Sequence, residues 1–207
     1  MEERAKIETI RTWLGTGSIN IFGRPFAGKD TQAGILAEQL DGVVLGGGDI
    51  LRNSVIPEHV KAHMHAGSLV PIEDYVNIVL PFLKQEQFKH HPLILSSVGR
   101  WHGEEEGVLE ATEEAGHPVK VVIYLDLEEN IVEERWQASH ELADRGDRHD
   151  DTLEVLEHRL EEYRNKTLPV IEYYKQQGLL VTIPANLTPA EVHARIIDAL
   201  HRRATEA

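Results

Sequence analysis

Short apolar runs alternate with longer amphipathic segments along the 207 residues of the chain. Runs rich in Val, Ile and Leu predict buried strands at residues 18–22, 42–45, 93–96, 119–126 and 179–183. The segments between them have helical spacing, most clearly at residues 27–40, 72–87, 104–115 and 152–177. Strands that alternate with helices predict an α/β fold with a five-stranded parallel sheet, helices on both faces, and ligands at the carboxyl ends of the strands.

The first sixteen residues add one element to this pattern. Ile7, Ile10 and Leu14 recur at helical spacing and predict an extra helix packed beside the sheet. A chain of this length with 41% hydrophobic residues can bury one substantial core, and it shows no repeat, low-complexity tract or linker. We therefore expect residues 1–207 to form a single domain.

A glycine-containing loop, GRPFAGKDTQ at residues 23–32, follows the first predicted strand. Gly23, Gly28 and Lys29 fit the phosphate-binding pattern G-x-x-x-x-G-K-[ST], in which backbone N–H groups surround the phosphates and the lysine neutralises them. The hydroxyl comes one position late, at Thr31, and Asp30 stands in its slot. A plain turn before a helix is the alternative, but the strand-loop-helix setting favours a phosphate site.

Charge and composition narrow the function classes. The formal net charge of −14, from 21 basic and 35 acidic residues, argues against a nucleic acid or an anionic membrane as partner. The lack of cysteine excludes disulfides, a thiol nucleophile and thiolate metal sites. The start, MEERAKIETIRTW, has no apolar signal region, and no apolar run approaches the ~18 residues of a membrane span. We expect a cytoplasmic protein.

From about residue 18 to the C-terminal helix, the chain resembles adenylate kinases and their nucleoside monophosphate kinase relatives. The loop at residues 23–32 is similar to the family's G-x-P-G-x-G-K-G-T-Q, including the late threonine. GGGDILR at 46–52 resembles S-T-G-D-x-L-R, and AGSLVP at 66–71 resembles A-G-x-L-V. LILSSVGR at 93–100 lies where the family strand ends in D-G-F-P-R. Several such segments in the right order are more specific than one phosphate loop.

The resemblance implies both an architecture and a reaction. It implies a P-loop three-layer fold with a helical monophosphate-binding lobe at about residues 48–84 and a short lid at about 136–148. The implied reaction moves the γ-phosphate of ATP, bound with Mg²⁺, to a nucleoside monophosphate. AMP is the leading acceptor, so that ATP and AMP give two ADP. We expect the enzyme to be a monomer.

Site residues follow from the resemblance, position by position. Phosphoryl transfer needs positioning and charge neutralisation more than covalent help, and the implied catalytic cations are Lys29, Arg100, Arg148 and Arg159. The implied ATP-binding residues are Gly23, Ala27, Gly28, Lys29, Asp30, Thr31 and Arg135. The implied monophosphate-binding residues are Gly47, Arg52, Leu69, Val70, Arg100 and Glu104. Thr31 and Asp30 are the candidates for Mg²⁺, through water.

Several positions depart from the family pattern where chemistry is expected. Phe26 replaces a loop glycine, Gly47 replaces a threonine, and Ser96 replaces an aspartate that helps to order magnesium. One lid arginine is missing, and Arg145 is a candidate substitute. These departures favour either a working kinase with altered metal handling and acceptor choice, or a weakened nucleotide-binding sensor of the same fold. The arginines that are kept favour the enzyme.

Asp30 allows two interpretations. A carboxylate beside phosphates repels them unless a cation intervenes, so the acid that is absent at Ser96 can have moved to Asp30, where it would join the magnesium-water shell. Alternatively, Asp30 is an acid at a helix start that is turned away from the ligand and stabilised by the helix dipole, worth ~0.3–1 kcal/mol.

Glu104 replaces the glutamine that reads adenine in the family. Ionised glutamate only accepts hydrogen bonds, which suits guanine, or the amino group of cytosine, better than adenine. Glu105 or Glu106 could occupy the same slot. AMP stays the leading acceptor, with GMP or CMP as the alternatives.

Overall fold

The computed structural model describes residues 2–47, 50, 53–65, 72–141 and 152–206. Five parallel strands form one sheet in the order β2-β3-β1-β4-β5. The strands are β1 Ser18–Gly23, β2 Val43–Gly46, β3 Leu93–Ser96, β4 Val119–Asp126 and β5 Leu180–Pro184. The α/β class and the five-stranded parallel sheet predicted from the alternation of apolar runs are confirmed.

Helices fill the connections between the strands. They are α1 Glu2–Leu14, α2 Lys29–Leu40, α3 Glu58–His65, α4 Ile72–Leu83, α5 Glu105–Glu114, α6 Glu129–Glu141, α7 Leu153–Glu162, α8 Leu168–Gln176 and α9 Pro189–Glu206, with a 3₁₀ turn at Glu86–Phe88. Within the described ranges, none of them is both long and apolar enough to cross a membrane.

Two apolar cores lie on opposite faces of the sheet. Ile19 and Ile21 of β1 point into the first core, which also contains side chains of α1, α2 and α9. Phe22 points into the second core, with side chains of α4, α5 and α8. This alternation along β1 follows from the two-residue period of a strand. Helix α1 packs against α9 and buries Ile10 and Leu14, two of the residues whose spacing predicted it.

A π-helical segment, Tyr163–Thr167, joins α7 to α8 where the sequence predicted one continuous helix. Pro169 explains it, because proline has no N–H for the carbonyl of Asn165 one turn earlier and its ring crowds that carbonyl. A widened turn relieves this conflict, and such segments are frequent at functional sites.

The strand order creates a crevice beside β1. The chain passes from β1 out to β2, returns to β3, and then crosses to β4 on the other side of β1. Ligands of open parallel sheets bind where the strand order reverses in this way. Ile21 of β1 is in register with Ser96, the last residue of β3, so the segment after β3 begins beside the end of β1.

Candidate active site

The loop between β1 and α2 has the backbone shape of a phosphate cradle. Gly28 has a φ of +88° and Phe26 a φ of +63°, both in the left-handed region. At Gly23, an added Cβ would lie 2.9 Å from the Leu125 carbonyl oxygen, so only glycine fits there. Phe26, which the resemblance predicts to replace a glycine, keeps the conformation that glycine favours, and this adds strain at this position.

Lys29 reaches back across this loop. Its Nζ donates to the carbonyl oxygens of Gly23 at 2.9 Å and Arg24 at 3.0 Å. These bonds hold the ammonium group in the middle of the loop, at the start of α2, where backbone N–H groups and the helix dipole also favour an anion. Lys29 is therefore placed to neutralise phosphate oxygens.

A cleft of about 510 Å³ opens beside the loop. Three segments line it: the β1–α2 loop, the segment after β3, and the long helix from α7 through the π segment. The lining residues are Gly23, Pro25, Phe26, Gly28, Lys29, Asp30, Thr31, Ser96, Ser97, Arg100, Trp101, Val155, His158, Arg159, Glu162, Tyr163 and Thr167. Three of the predicted cations, Lys29, Arg100 and Arg159, thus surround one space that is large enough for phosphate groups.

Asp30 points across the cleft toward the end of β3. Its Oδ1 accepts a hydrogen bond from the Ser96 hydroxyl at 2.9 Å, although the two residues are 66 positions apart in the chain. Thr31, the late hydroxyl of the loop, lines the same cleft. Asp30, Thr31 and Ser96 thus bring side-chain oxygens to the same cleft as the three cations.

Asn20 positions the segment that carries Arg100. From the buried centre of β1, its amide Nδ2 donates to the Val98 carbonyl at 2.8 Å, and its Oδ1 accepts from the Val98 N–H at 3.3 Å. Ser97, one residue earlier, has a φ of +51°. The sequence analysis missed Asn20, although a polar residue inside the apolar run SINIF was the available signal.

The π segment holds the other side of the same loop. The Lys166 carbonyl accepts from the His102 N–H at 3.0 Å, and Lys166 Nζ lies 4.2 Å from the centre of the Trp101 ring. Lys166 Nζ also donates to Glu162 at 2.9 Å, and this bond lowers the pKa of Glu162. The helix that carries Arg159 is thereby fastened to the loop that carries Arg100.

The three candidate base readers differ in their surroundings. Glu104 is buried and accepts from the Trp101 N–H at 3.3 Å, and burial raises its pKa to about 7. Glu105 is buried too, but it accepts from the Gly103 N–H and from His102, so it braces the turn before α5. Glu106 is exposed. Glu104 is not among the cleft-lining residues, but its partner Trp101 is, and the charge of Arg100 acts against the rise in the pKa of Glu104.

Two further predicted residues lie beside the cleft lining. Arg135 of α6 donates to the carbonyl oxygens of Phe26 at 3.1 Å and Ala185 at 2.6 Å, which ties the phosphate loop to the segment after β5. Burial lowers the pKa of Arg135. Gly47 approaches the segment after β3, where an added Cβ would lie 3.4 Å from the Ser97 carbonyl oxygen.

Several predicted positions lie outside the described residues. They are Arg52, Leu69, Val70, Arg145 and Arg148. The predicted lid at residues 136–148 begins inside helix α6, which continues to Glu141, and the rest of it also lies outside the described ranges.

Comparison with known proteins gives a consistent set of relatives. The family model described as adenylate kinase matches residues 21–179. An adenylate kinase of Thermus thermophilus is 34% identical over 193 residues, which cover 90% of this chain and 99% of the relative. An adenylate kinase of Deinococcus radiodurans is 32% identical over 189 residues, covering 86% and 94%. One from a Cyanothece species is 32% identical over 181 residues, covering 85% and 91%.

Proposed function

This chain belongs to the adenylate kinase family and is a nucleoside monophosphate kinase, and from that premise we propose that it transfers the γ-phosphate of ATP to AMP to give two ADP. One observation carries the proposal: Lys29, Arg100 and Arg159 come from three separate segments and line one cleft at the carboxyl ends of β1 and β3. The relatives that match most of this chain are named adenylate kinase, and this supports AMP as the acceptor.

The cations account for the chemistry of this reaction. The two nucleotides supply nucleophile and leaving group, so the protein has to hold them in line and neutralise the charge that spreads over the transferred group. Lys29 and the N–H groups at the start of α2 receive the donor phosphates. Arg100 clamps the acceptor phosphate, and Arg159 neutralises the group in transit. Asn20 and Lys166 hold the loop of Arg100 in place for this task.

The residues of the cleft fit a magnesium ion that accompanies ATP. Magnesium prefers oxygen ligands and keeps several of its waters, and the cleft offers the Asp30 carboxylate and the Thr31 and Ser96 hydroxyls. Asp30 and Thr31 would hold the ion through water. Bound there, it would neutralise oxygens of the β- and γ-phosphates.

The remaining site roles complete the proposal. Arg52, Leu69 and Val70 bind the monophosphate, together with Gly47 and Glu104. Arg148 joins Arg159 from the lid. Arg135 lies against the donor adenine, beside its carbonyl contacts. We also propose that the enzyme acts as a monomer in the cytoplasm.

One observation favours a second acceptor. Glu104 is buried beside Trp101 of the cleft lining, and a carboxylate that reads the acceptor base can accept from both donors on guanine or from the amino group of cytosine. GMP or CMP is therefore the alternative to AMP.

A coupled assay with ATP, Mg²⁺ and each of AMP, GMP, CMP and UMP tests the proposal directly. We expect turnover with AMP to exceed the others. The Lys29→Met variant should lose about 100- to 1000-fold in kcat, because the lysine stabilises charge that grows during transfer, while its melting temperature stays close to that of the parent. Lys89→Met, on an exposed turn, is the matched control and should keep full activity.

A bisubstrate analogue separates the kinase from a sensor of the same fold. Two nucleosides joined through phosphates occupy both halves of a kinase cleft, so the analogue should bind far more tightly than ATP. Equal affinities, with no turnover of any monophosphate, would show that the chain binds nucleotides without transferring phosphate.

A further inference from the structure

The carboxylate of Asp30 is the one acidic group of the phosphate loop, and it faces the cleft. It stands directly after Lys29, in the slot where phosphate loops usually carry the hydroxyl that serves magnesium. In the structure it lies beside Ser96, whose hydroxyl donates to Oδ1 at 2.9 Å. The Asp30 side chain is exposed and lines the cleft.

A carboxylate at this place creates an electrostatic problem for a phosphate site. The same cleft holds Lys29, Arg100 and Arg159, which favour phosphate, and an uncompensated Asp30 would repel it. A divalent cation between the carboxylate and the phosphate attracts both groups and removes this repulsion. The helix dipole at the start of α2 explains why the acid is tolerated, but it does not explain why its side chain turns toward β3.

We infer that Asp30, oriented by the hydroxyl of Ser96, is a specific acidic determinant of metal-dependent ATP binding in this chain. The inference rests on the proposed function, since it concerns the metal that accompanies the donor nucleotide. Ser96 acts through Asp30: its hydroxyl donates its proton to Oδ1 and orients the carboxylate. Asp30 and Ser96 thus form one unit made of the phosphate loop and the end of β3.

Because the Asp30 and Ser96 side chains lie side by side, the inference can be tested by exchanging them. If the position of the carboxylate matters, and not the residue that carries it, exchanging the two residues should preserve the unit. The double variant Asp30→Ser with Ser96→Asp keeps the composition and the net charge, and it places the hydroxyl on α2 and the carboxylate on β3.

The readout is the ratio of the Kd values of a non-hydrolysable ATP analogue, measured by calorimetry with EDTA and with Mg²⁺. This ratio reports metal dependence without requiring turnover. In Asp30→Asn we expect the ratio to fall by about 10- to 100-fold, the usual loss when a group that orders a metal site is removed. The affinity without metal should stay equal or improve. The exchange variant should recover the ratio to within a few fold.

Glu38→Gln is the matched control, because it removes one negative charge from an exposed position on the same helix. It should leave the ratio unchanged. Thermal unfolding of each variant shows whether it is folded before the binding data are compared. For the single variant Ser96→Asp, which puts two carboxylates side by side, we expect a lower melting temperature with EDTA that Mg²⁺ raises again.

Two results would overturn the inference. One is an unchanged ratio in folded Asp30→Asn. The other is an exchange variant that is folded but as weakly metal-dependent as Asp30→Asn. Neither result touches the proposed phosphoryl transfer from ATP to AMP, which fails separately if the parent does not bind the ATP analogue under either condition.

Discussion

We predict that the buried carboxyl group of Glu104 links pH to both stability and acceptor choice. Glu104 is 8% exposed at the start of α5, and burial raises its pKa from 4.5 to about 7. The folded protein therefore binds this proton more tightly than the unfolded chain does. The stability that results is complete below about pH 4.5 and is lost as the pH rises through about 7.

The size of the effect follows from the pKa. A rise from 4.5 to about 7 corresponds to about 3 kcal/mol, at about 1.4 kcal/mol per pK unit. Glu104→Gln has no proton to lose at this position. The unfolding free energy of the variant minus that of the parent should therefore be up to about 3 kcal/mol larger at about pH 8 than at about pH 4. Urea unfolding at both pH values measures this gain. Glu106→Gln, on the exposed neighbour, should show none of it.

The same proton should control the choice of acceptor base. Neutral Glu104 has one donor and one acceptor and can pair with adenine as glutamine does, whereas the ionised group only accepts and suits guanine. We expect the ratio of kcat/KM for AMP to that for GMP to fall by about one to two powers of ten as the pH rises through 7. Phosphate titration is common to both acceptors and cancels in the ratio.

In Glu104→Gln this ratio should be high and independent of pH. A pH-independent ratio in the parent, or a ratio that Glu104→Gln leaves where it was, would refute the assignment of Glu104 as the base reader. A stability gain without any change in selectivity would show that the buried carboxyl group matters for folding alone.

Two other buried polar groups give further predictions. Asn20→Ala leaves the Val98 N–H and carbonyl without their partner, so it should lower the unfolding free energy by about 1–3 kcal/mol and also lower kcat by displacing Arg100. Ser18 lies on the same strand as Asn20 but away from the cleft, and Ser18→Ala, which removes a buried hydrogen bond to the His117 carbonyl, should lower stability only. Equal kcat values in Asn20→Ala and Ser18→Ala would contradict the positioning role of Asn20. Burial lowers the pKa of His193, so the stability it contributes is complete above about pH 6.5 and is lost as the pH falls toward the lowered pKa. As the pH falls below about 6.5, the unfolding free energy measured in urea should therefore decrease more for the parent than for His193→Gln. Equal decreases in the two proteins would contradict this.

Much of this molecule is encoded locally in the sequence. Apolar runs of strand length and amphipathic segments of helical spacing predicted the α/β class and the five-stranded parallel sheet, because those periods follow from backbone geometry within each segment. The phosphate loop was recognisable for the same reason. Gly28 has a left-handed φ that depends on its neighbours in the loop, whereas the close approach that requires glycine at position 23 comes from Leu125 of β4.

Other features were decided only by tertiary structure. The spacing of residues 152–177 predicted one helix, and the π segment at Tyr163–Thr167 departs from it because Pro169 removes a donor and a wider turn compensates. The Lys166 carbonyl of that segment then meets the His102 N–H, which no local pattern encodes. Arg135 likewise contacts the Phe26 and Ala185 carbonyls across three segments.

Asp30 shows most clearly what the sequence determines and what only the tertiary structure decides. The sequence determined that an acid follows the loop lysine and that a serine ends β3, and it left open whether the acid faces the ligand or turns away. The direction of the side chain depends on which strand lies beside β1. The sheet order places β3 there and brings Ser96 to 2.9 Å from Asp30. Side-chain direction between distant segments is set by packing, because the period of a helix or a strand fixes only which face of its own element a residue occupies.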